Sequence, residues 1–203
     1  MSWNHDQAWE SSWWRDCANT YGEEKKQVEL YAPRMGLQWV MDEEYRSIYN
    51  LELNGKNVLD IGGGPVSMLL KAIHRGNRCT VVDPLKMPQW VHDRYRLMGI
   101  DLINEPAETG LEVHKELDIA IFEEVWIYNC LQHTIDPKKI IENARKMAQV
   151  IRIFEWVDTA VQEGHPHSLH AHELDEWLGG HGRVEEIQGY GYTRCYYGVF
   201  PTR

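Results

Sequence analysis

The chain has 203 residues, 43% of them hydrophobic and 26% charged, with a net charge of −10. This length suits one domain with a real core, and the acidic balance argues against a long polyanion as substrate, since a nucleic-acid enzyme needs a basic stripe to neutralise phosphates. Cys17, Cys79, Cys130 and Cys195 stand far apart with no Cys-x-x-Cys pair, which favours reduced thiols in the cytoplasm over a zinc site or a disulfide framework.

The N-terminus lacks a signal pattern, and no apolar run approaches membrane-spanning length, so no membrane partner is expected. The first fifty residues are polar and aromatic and read as helical. Trp9, Trp13 and Trp14 share a helix face, a second helical stretch runs over 23–31 until Pro33 interrupts it, and a third covers 38–49. The pattern then alternates. Strands are expected over 57–61, 78–82, 100–103, 117–122 and 150–156, with helices over 66–74, 89–98, 137–148 and 171–178. Two last strands, 183–188 and 193–200, flank the turn Gly189-Tyr190-Gly191. Such alternation predicts an α/β fold with a mainly parallel, doubly wound sheet. The last two strands are joined too tightly for a helical crossover, so they form a hairpin and the final strand runs antiparallel. Nine Trp and ten Tyr against three Phe point to a core built from amphipathic aromatics.

The strongest local signal is Val58-Leu59-Asp60-Ile61-Gly62-Gly63-Gly64-Pro65, which ends the first strand of the alternating region. Glycines there let a ligand approach the backbone. Asp83 ends the next strand, nineteen residues after Gly64, where a carboxylate suits the two hydroxyls of a ribose. Asp60 would repel a pyrophosphate but suits an ammonium, directly or through water. It therefore favours S-adenosylmethionine, which has no phosphate, over a nicotinamide dinucleotide.

At these residues the chain resembles the class I S-adenosylmethionine-dependent methyltransferases. Asp60, Gly62 and Gly64 match the family's strand, acid and Gly-x-Gly-x-Gly run, and Val66 departs from it where a third glycine is common. The resemblance implies that Gly62, Gly63 and Gly64 cradle the cofactor and that Asp83, beside Pro84, holds the ribose. It also implies that Ala107 supplies a backbone contact to adenine, while Glu108 either faces the exocyclic amine or is a solvated loop acid. Glu123 and Glu124 are expected at the mouth of the fourth strand, where such folds place ligands, and Glu123 is assigned to the cofactor. The segment from Tyr128 to Pro137 is similar to the family's Asn-x-Leu-x-His and Asp-Pro segment, with Asp136 capping the next helix and His133 a candidate for substrate contact or packing. The resemblance covers 57–203 and implies a seven-stranded sheet with an antiparallel last strand. Residues 51–203 then form the cofactor-binding core of a single domain, and 1–50 a helical lid over the substrate.

Methyl transfer is a direct displacement, so the protein aligns the acceptor and, for a poor nucleophile, removes a proton. His165 and His167, in the loop after the fifth strand that the resemblance places over the acceptor, are the candidate bases, or shape the pocket. A metal site built from the four close histidines 165, 167, 170 and 172 lacks Asp or Cys partners, and none is expected; His170 and His172 read equally as the start of the next helix. Trp14 and Tyr21, in the lid, are expected to wall a pocket for a small acceptor, aromatic or sugar-like. A nicotinamide oxidoreductase is disfavoured by Asp60, by the terminal hairpin and by the missing Tyr-x-x-x-Lys. A base methyltransferase is disfavoured by Glu123-Glu124-Val125-Trp126 standing where an Asp/Asn-Pro-Pro-aromatic motif would be. A binding module that kept the cofactor pocket without transfer, and a homodimer, stay open.

Overall fold

The computed structural model describes residues 3–41, 49–73, 77–109 and 122–202. Helix α1 spans Trp3–Trp13, and α2 spans Cys17–Lys26 behind Asp16, whose side chain accepts from Ala18 N at 2.8 Å. Helix α2 runs on through a π-helical turn, Gln27–Tyr31, and a last α turn, Ala32–Arg34. In the π turn Ala32 N donates to Gln27 O, so the register widens just before Pro33, which has no N–H to place in an α ladder. The wider turn also buries Gln27, whose Nε2 donates to Val66 O at 2.9 Å and ties the helix to the glycine loop.

Strand β1 (Trp39–Met41) pairs antiparallel with β2 (Tyr49–Glu52), so the helix expected over 38–49 is wrong at both its ends; residues 42–48 lie outside the described residues. Propensity lost to pairing here, because β2 finds a second, parallel partner in β4 (Ala72–Ile73), completing a small three-stranded sheet. The main elements are β3 (Val58–Ile61), β5 (Cys79–Val82), α3 (Gln89–Leu97), β6 (Ile100–Ile103), β7 (Phe122–Tyr128), α4 (Pro137–Met147), β8 (Ala148–Trp156), α5 (Ala171–Leu178), β9 (Arg183–Glu186) and β10 (Arg194–Pro201). They form one seven-stranded sheet in the order β6-β5-β3-β7-β8-β10-β9. Strands β3, β5, β6, β7 and β8 pair in parallel, and β10 runs antiparallel to both β8 and β9. The expected α/β architecture and terminal hairpin are both present.

Side-chain alternation divides the core between the two faces of this sheet. Leu59, Val125 and Ile127 pack with Ile140, Ala144 and Leu174 beneath α4 and α5. Val58, Trp126 and Tyr128 turn the other way, toward Tyr31, Met35, Val91 and Tyr95. On that face Tyr31 lies 4.5 Å from Phe154 and Phe154 5.4 Å from Trp156, centroid to centroid, so part of the aromatic surplus is core, while Trp9, Trp13 and Trp14 are half-buried.

Two corrections concern the site. The helix expected over 66–74 is not formed: two 3₁₀ turns, Gly64–Val66 and Met68–Lys71, flank an extended Ser67 and lead into β4. Tertiary acceptors replace the helical ladder. Ser67 N donates to the Tyr95 hydroxyl at 3.1 Å and Met68 N to the Tyr128 hydroxyl at 3.0 Å. The fourth strand of the main sheet, expected over 117–122, runs instead over Phe122–Tyr128, with 117–121 outside the described residues. That moves Glu123 and Glu124 from the end of the strand to its beginning.

Helix α4 starts as its sequence demands, with Pro137 in the first turn and Asp136 Oδ1 accepting from Lys139 N at 3.0 Å. Asp136→Ala is expected to cost about 1 kcal/mol and to lower the thermal midpoint by roughly 2–4 °C, read by circular dichroism.

Candidate active site

A cavity of about 380 Å³ opens at the C-terminal ends of β3, β5 and β7. This is the end of a parallel sheet at which open α/β folds collect ligands, and the volume is that of a small-molecule pocket. Ile61, Gly62 and Gly63 form its floor. Val82, Asp83, Pro84, Ala107 and Glu108 line one side, and Asn129, Cys130, His133 and Thr134 follow from β7. Helices α1 and α2 cover it with Gln7, Trp9, Glu10, Trp13, Trp14, Glu23, Lys26 and Gln27, while Gln162, Glu163, His165 and Tyr192 close the far end.

The loop is built so that the chain turns tightly beside its neighbours. Gly62 has φ +74°, and a Cβ there would lie 2.4 Å from Cys130 Cβ, so only glycine lets β3 pass the β7 loop. Asp60 stands behind this floor rather than in it. It is fully buried and accepts from the Ser67 hydroxyl and from Tyr128 Oη at 2.6 Å, while Oδ1 has no hydrogen-bond partner among the described residues. Burial pushes its carboxyl up to about 7, against the hydrogen bonds from Ser67 and Tyr128. Asp60, expected at the ligand, therefore shapes the loop from beneath.

Asp83 lines the cavity, and each of its oxygens takes one backbone N–H: Gly64 N at 2.8 Å and Leu85 N at 2.9 Å. Each oxygen keeps a further lone pair. Burial, with the charge of Glu10 second, raises the Asp83 carboxyl to about 7. Glu10, on the covering helix, is raised to about 7 by burial, opposed by a long bond from Trp14 Nε1 at 3.4 Å. Pro84 and Ala107 lie where the sequence places them, on the wall. Glu108 also lines the cavity, but its Oε1 accepts from Ile135 N at 2.8 Å and Asp136 N at 3.1 Å, so it ties down the loop before α4.

Other expectations need correction. Glu123 is not at the cavity; its Oε2 accepts from Asn57 N at 2.7 Å at the start of β3. Glu124 sits beside it in a buried ion cluster, accepting from Lys56 at 2.6 Å and from Arg152 at 2.7 and 2.8 Å. Tyr21 is 71% exposed on α2 and does not reach the cavity. His167 is spent on the loop, its Nε2 bonding Thr134 O at 2.8 Å. Trp14 does line the cavity, lying over Gly64, toward the glycine loop rather than the far end.

The far end holds the chemistry. His133 and His165 meet edge to face with centroids 4.4 Å apart. His133 Nδ1 is 2.6 Å from Gly164 O, and a carbonyl only accepts, so the proton is on Nδ1. Gly164 has φ +77°, and a Cβ there would enter the Trp9 ring at 2.4 Å. Asp6 Oδ1 accepts from Gly164 N at 3.2 Å, so α1, the acceptor loop and His133 meet at one glycine. His165 Nδ1 accepts from Gln162 Nε2 at 2.9 Å and lies 3.1 Å from the Tyr192 hydroxyl. Burial lowers both imidazoles to about 4, His133 against the pull of the Gly164 carbonyl and His165 with added repulsion from His133, so both are neutral at pH 7. The 3₁₀ turn that carries His133, Leu131–His133, is held by Glu155, whose Oε1 accepts from Cys130 N and Leu131 N at 3.1 Å each.

Sequence reasoning missed Gln7, Glu10, Glu23, Lys26, Asn129 and Tyr192. The covering surface itself was expected as a lid over 1–50, but which of its side chains face the cavity was not, and Glu10 lies between Trp9 and Trp13 on α1. Among the described residues no cluster of three His, Cys, Asp or Glu is arranged to hold a metal ion, and no helix is long and apolar enough to cross a membrane.

No protein-family model matches the chain, and no curated protein matches its sequence. Solved structures do match. The 1,6-didemethyltoxoflavin-N1-methyltransferase of Burkholderia thailandensis, with 1,6-didemethyltoxoflavin and S-adenosylhomocysteine bound, superposes with a TM-score of 0.55 at 17% identity, over 73% of this chain and 72% of that one. An O-methyltransferase family protein of the same organism gives 0.52 at 12% identity over 72% of this chain, which spans about half (51%) of its length. The N-methyltransferase NodS of Bradyrhizobium japonicum WM9, in complex with S-adenosylhomocysteine, gives 0.51 at 17% identity, over 72% and 77%. At these identities the likeness is one of architecture. With its strand order and its antiparallel β10, the chain has the class I methyltransferase fold.

Proposed function

We propose that this protein is an S-adenosylmethionine-dependent methyltransferase that acts on a small-molecule acceptor. The observation that carries the reading is the charge and continuity of one cavity. It runs from Asp83 and Ala107 to His133 and His165, lined among the described residues by the carboxylates of Glu10, Glu23, Asp83, Glu108 and Glu163 against one ammonium, that of Lys26. A pyrophosphate is repelled by such a wall, whereas S-adenosylmethionine carries a net positive charge.

The residues present fit that cofactor. Asp83 has a lone pair left on each oxygen for a ribose diol, the wall of Pro84 and Ala107 is apolar where adenine would lie, and the Gly62–Gly63 floor leaves room for the amino-acid end. S-adenosylmethionine supplies a methyl group already activated on a sulfonium, so the protein has only to hold, align and desolvate. Helices α1 and α2 act as the cap: they close the cavity from above, and Trp9 and Trp13 exclude water from it. His133, His165 and Tyr192 form the end at which an acceptor sits. Solved proteins of this fold transfer methyl groups to nitrogen and to oxygen acceptors, which supports methyl transfer without naming the acceptor.

Calorimetric titration with S-adenosylmethionine, S-adenosylhomocysteine and NAD tests the reading. Micromolar binding of the first two and none of NAD is the expected result. Binding of NAD alone would make the cavity a dinucleotide site and overturn it.

A further inference from the structure

The far end of the cavity narrows the chemistry of the acceptor, on the methyl-transfer reading above. From the proton placement at His133 and the carboxylates around it, we infer that the acceptor is a neutral, weakly basic nitrogen compound, an arylamine or an azole, held by an N–H on Nε2 of His133.

Three independent features converge on this assignment. The first is the tautomer. Because Nδ1 donates to Gly164 O at 2.6 Å, Nε2 carries the lone pair, and among the described residues it takes one long hydrogen bond, from Gln132 Nε2 at 3.4 Å. His133 therefore presents a weakly occupied acceptor and asks for a stronger donor. Gln7 Oε1, also on the wall, is buried with no hydrogen-bond partner among the described residues and makes the same request.

The second is charge. Glu23 and Glu163 line this cavity, and Asp6 lies buried behind Gly164, whereas the nearby ammonium of Lys26 is already within 3.4 Å of Glu23. Among the described residues no other cation lines the cavity to hold a carboxylate, phosphate or phenolate. A neutral nitrogen that attacks the methyl carbon becomes positive as the methyl–sulfur bond breaks and leaves its electron pair on sulfur. The surrounding carboxylates stabilise positive charge where it appears. The N–H proton of the methylated product, an anilinium or azolium whose acidity is close to that of the lowered imidazole, then passes through His133 Nε2 to water.

The third is basicity. With both imidazoles lowered to about 4 by burial, prior ionisation of a phenol of ordinary pKa, about 10, is unfavourable by roughly a millionfold. A weakly basic nitrogen needs no such step.

Ligand-observed NMR on the whole chain, with and without S-adenosylhomocysteine, tests this with benzimidazole, 1-methylbenzimidazole, phenol and benzoate as probes. Benzimidazole is expected to bind at least tenfold more tightly than each of the others. In His133→Asn, whose side-chain amide can still donate to Gly164 O, its advantage over 1-methylbenzimidazole is expected to vanish while circular dichroism stays unchanged. Benzoate or phenol binding as tightly as benzimidazole would overturn the inference, as would an N–H preference that survives His133→Asn. In a radiolabelled-methyl assay benzimidazole is expected to be methylated and phenol not, and the reverse would also overturn it. Failure of S-adenosylhomocysteine to bind at all would instead overturn the methyl-transfer reading, and the acceptor assignment with it.

Discussion

In Asp83→Ala the dissociation constant for S-adenosylhomocysteine is expected to rise by roughly a hundredfold, about 2.7 kcal/mol, when followed by calorimetry at pH 8. On the proposed reading two losses combine: the ribose diol would lose two charge-assisted partners, and the N–H groups of Gly64 and Leu85 lose the acceptors that hold them at 2.8 and 2.9 Å. The wild-type affinity also depends on pH in a defined direction. Burial and the Glu10 charge hold the Asp83 carboxyl at about 7, and the diol prefers the ionised form. Affinity therefore rises by roughly tenfold between pH 6 and pH 8. Asp83→Asn removes most of that dependence, whereas Glu10→Gln moves its midpoint down by removing a like charge. An affinity for S-adenosylhomocysteine unmoved by Asp83→Ala would mean that the diol is held elsewhere.

Glu124→Ala is expected to lower the unfolding free energy by about 3–5 kcal/mol in urea titration and to leave S-adenosylhomocysteine affinity unchanged. The carboxylate is 4% exposed and accepts from Arg152 at two points, from Lys56 and from Trp126 Nε1 at 3.0 Å. Its removal leaves the half-buried Arg152 guanidinium with the Met35 carbonyl, 2.7 Å away, and no counter-charge. Burial alone would push the Glu124 carboxyl up; the bonds from Arg152, Lys56 and Trp126 outweigh it and hold the group at about 2. Because the folded value lies below the unfolded one of 4.5, the contribution is complete above pH 4.5 and is lost as pH falls toward 2. The difference corresponds to about 3 kcal/mol, in line with the cost of the substitution. Wild type and variant should thus converge in stability as the pH approaches 2.

Much of the fold was legible because its signals are local. Periodicity placed α5 at Ala171–Leu178 and β6 at Ile100–Ile103, and the Asp136-Pro137 pair announced the start of α4. The short turn between β9 and β10 required an antiparallel pair, and it is one. Where local signals ended, reading failed. Residues 66–74 have the composition of a helix, yet the hydroxyls of Tyr95 and Tyr128, from distant elements, draw off the amides of Ser67 and Met68. A strand register read too early in the chain carried Glu123 and Glu124 to the wrong end of the sheet, where they stabilise the fold.

The same division runs through the site. Asp83 and the Gly62–Gly63 floor follow from sequence, because a tight turn after one strand and an acid after the next are set by residues close along the chain. The roles of the histidines do not. Of His165 and His167, the two expected to act, only His165 reaches the cavity, and the ring whose Nδ1 proton is fixed, leaving an acceptor on Nε2, is His133. That choice is made by the carbonyl of Gly164, thirty-one residues away, which takes the Nδ1 proton. The sequence alone determined a strand-and-helix alternation, a glycine turn and its acid, since each depends on neighbours in the chain. Only the tertiary structure decided which side chains face one another across the cavity and where the protons sit, because hydrogen bonds, burial and charge at the site come from segments that meet only when the chain is folded.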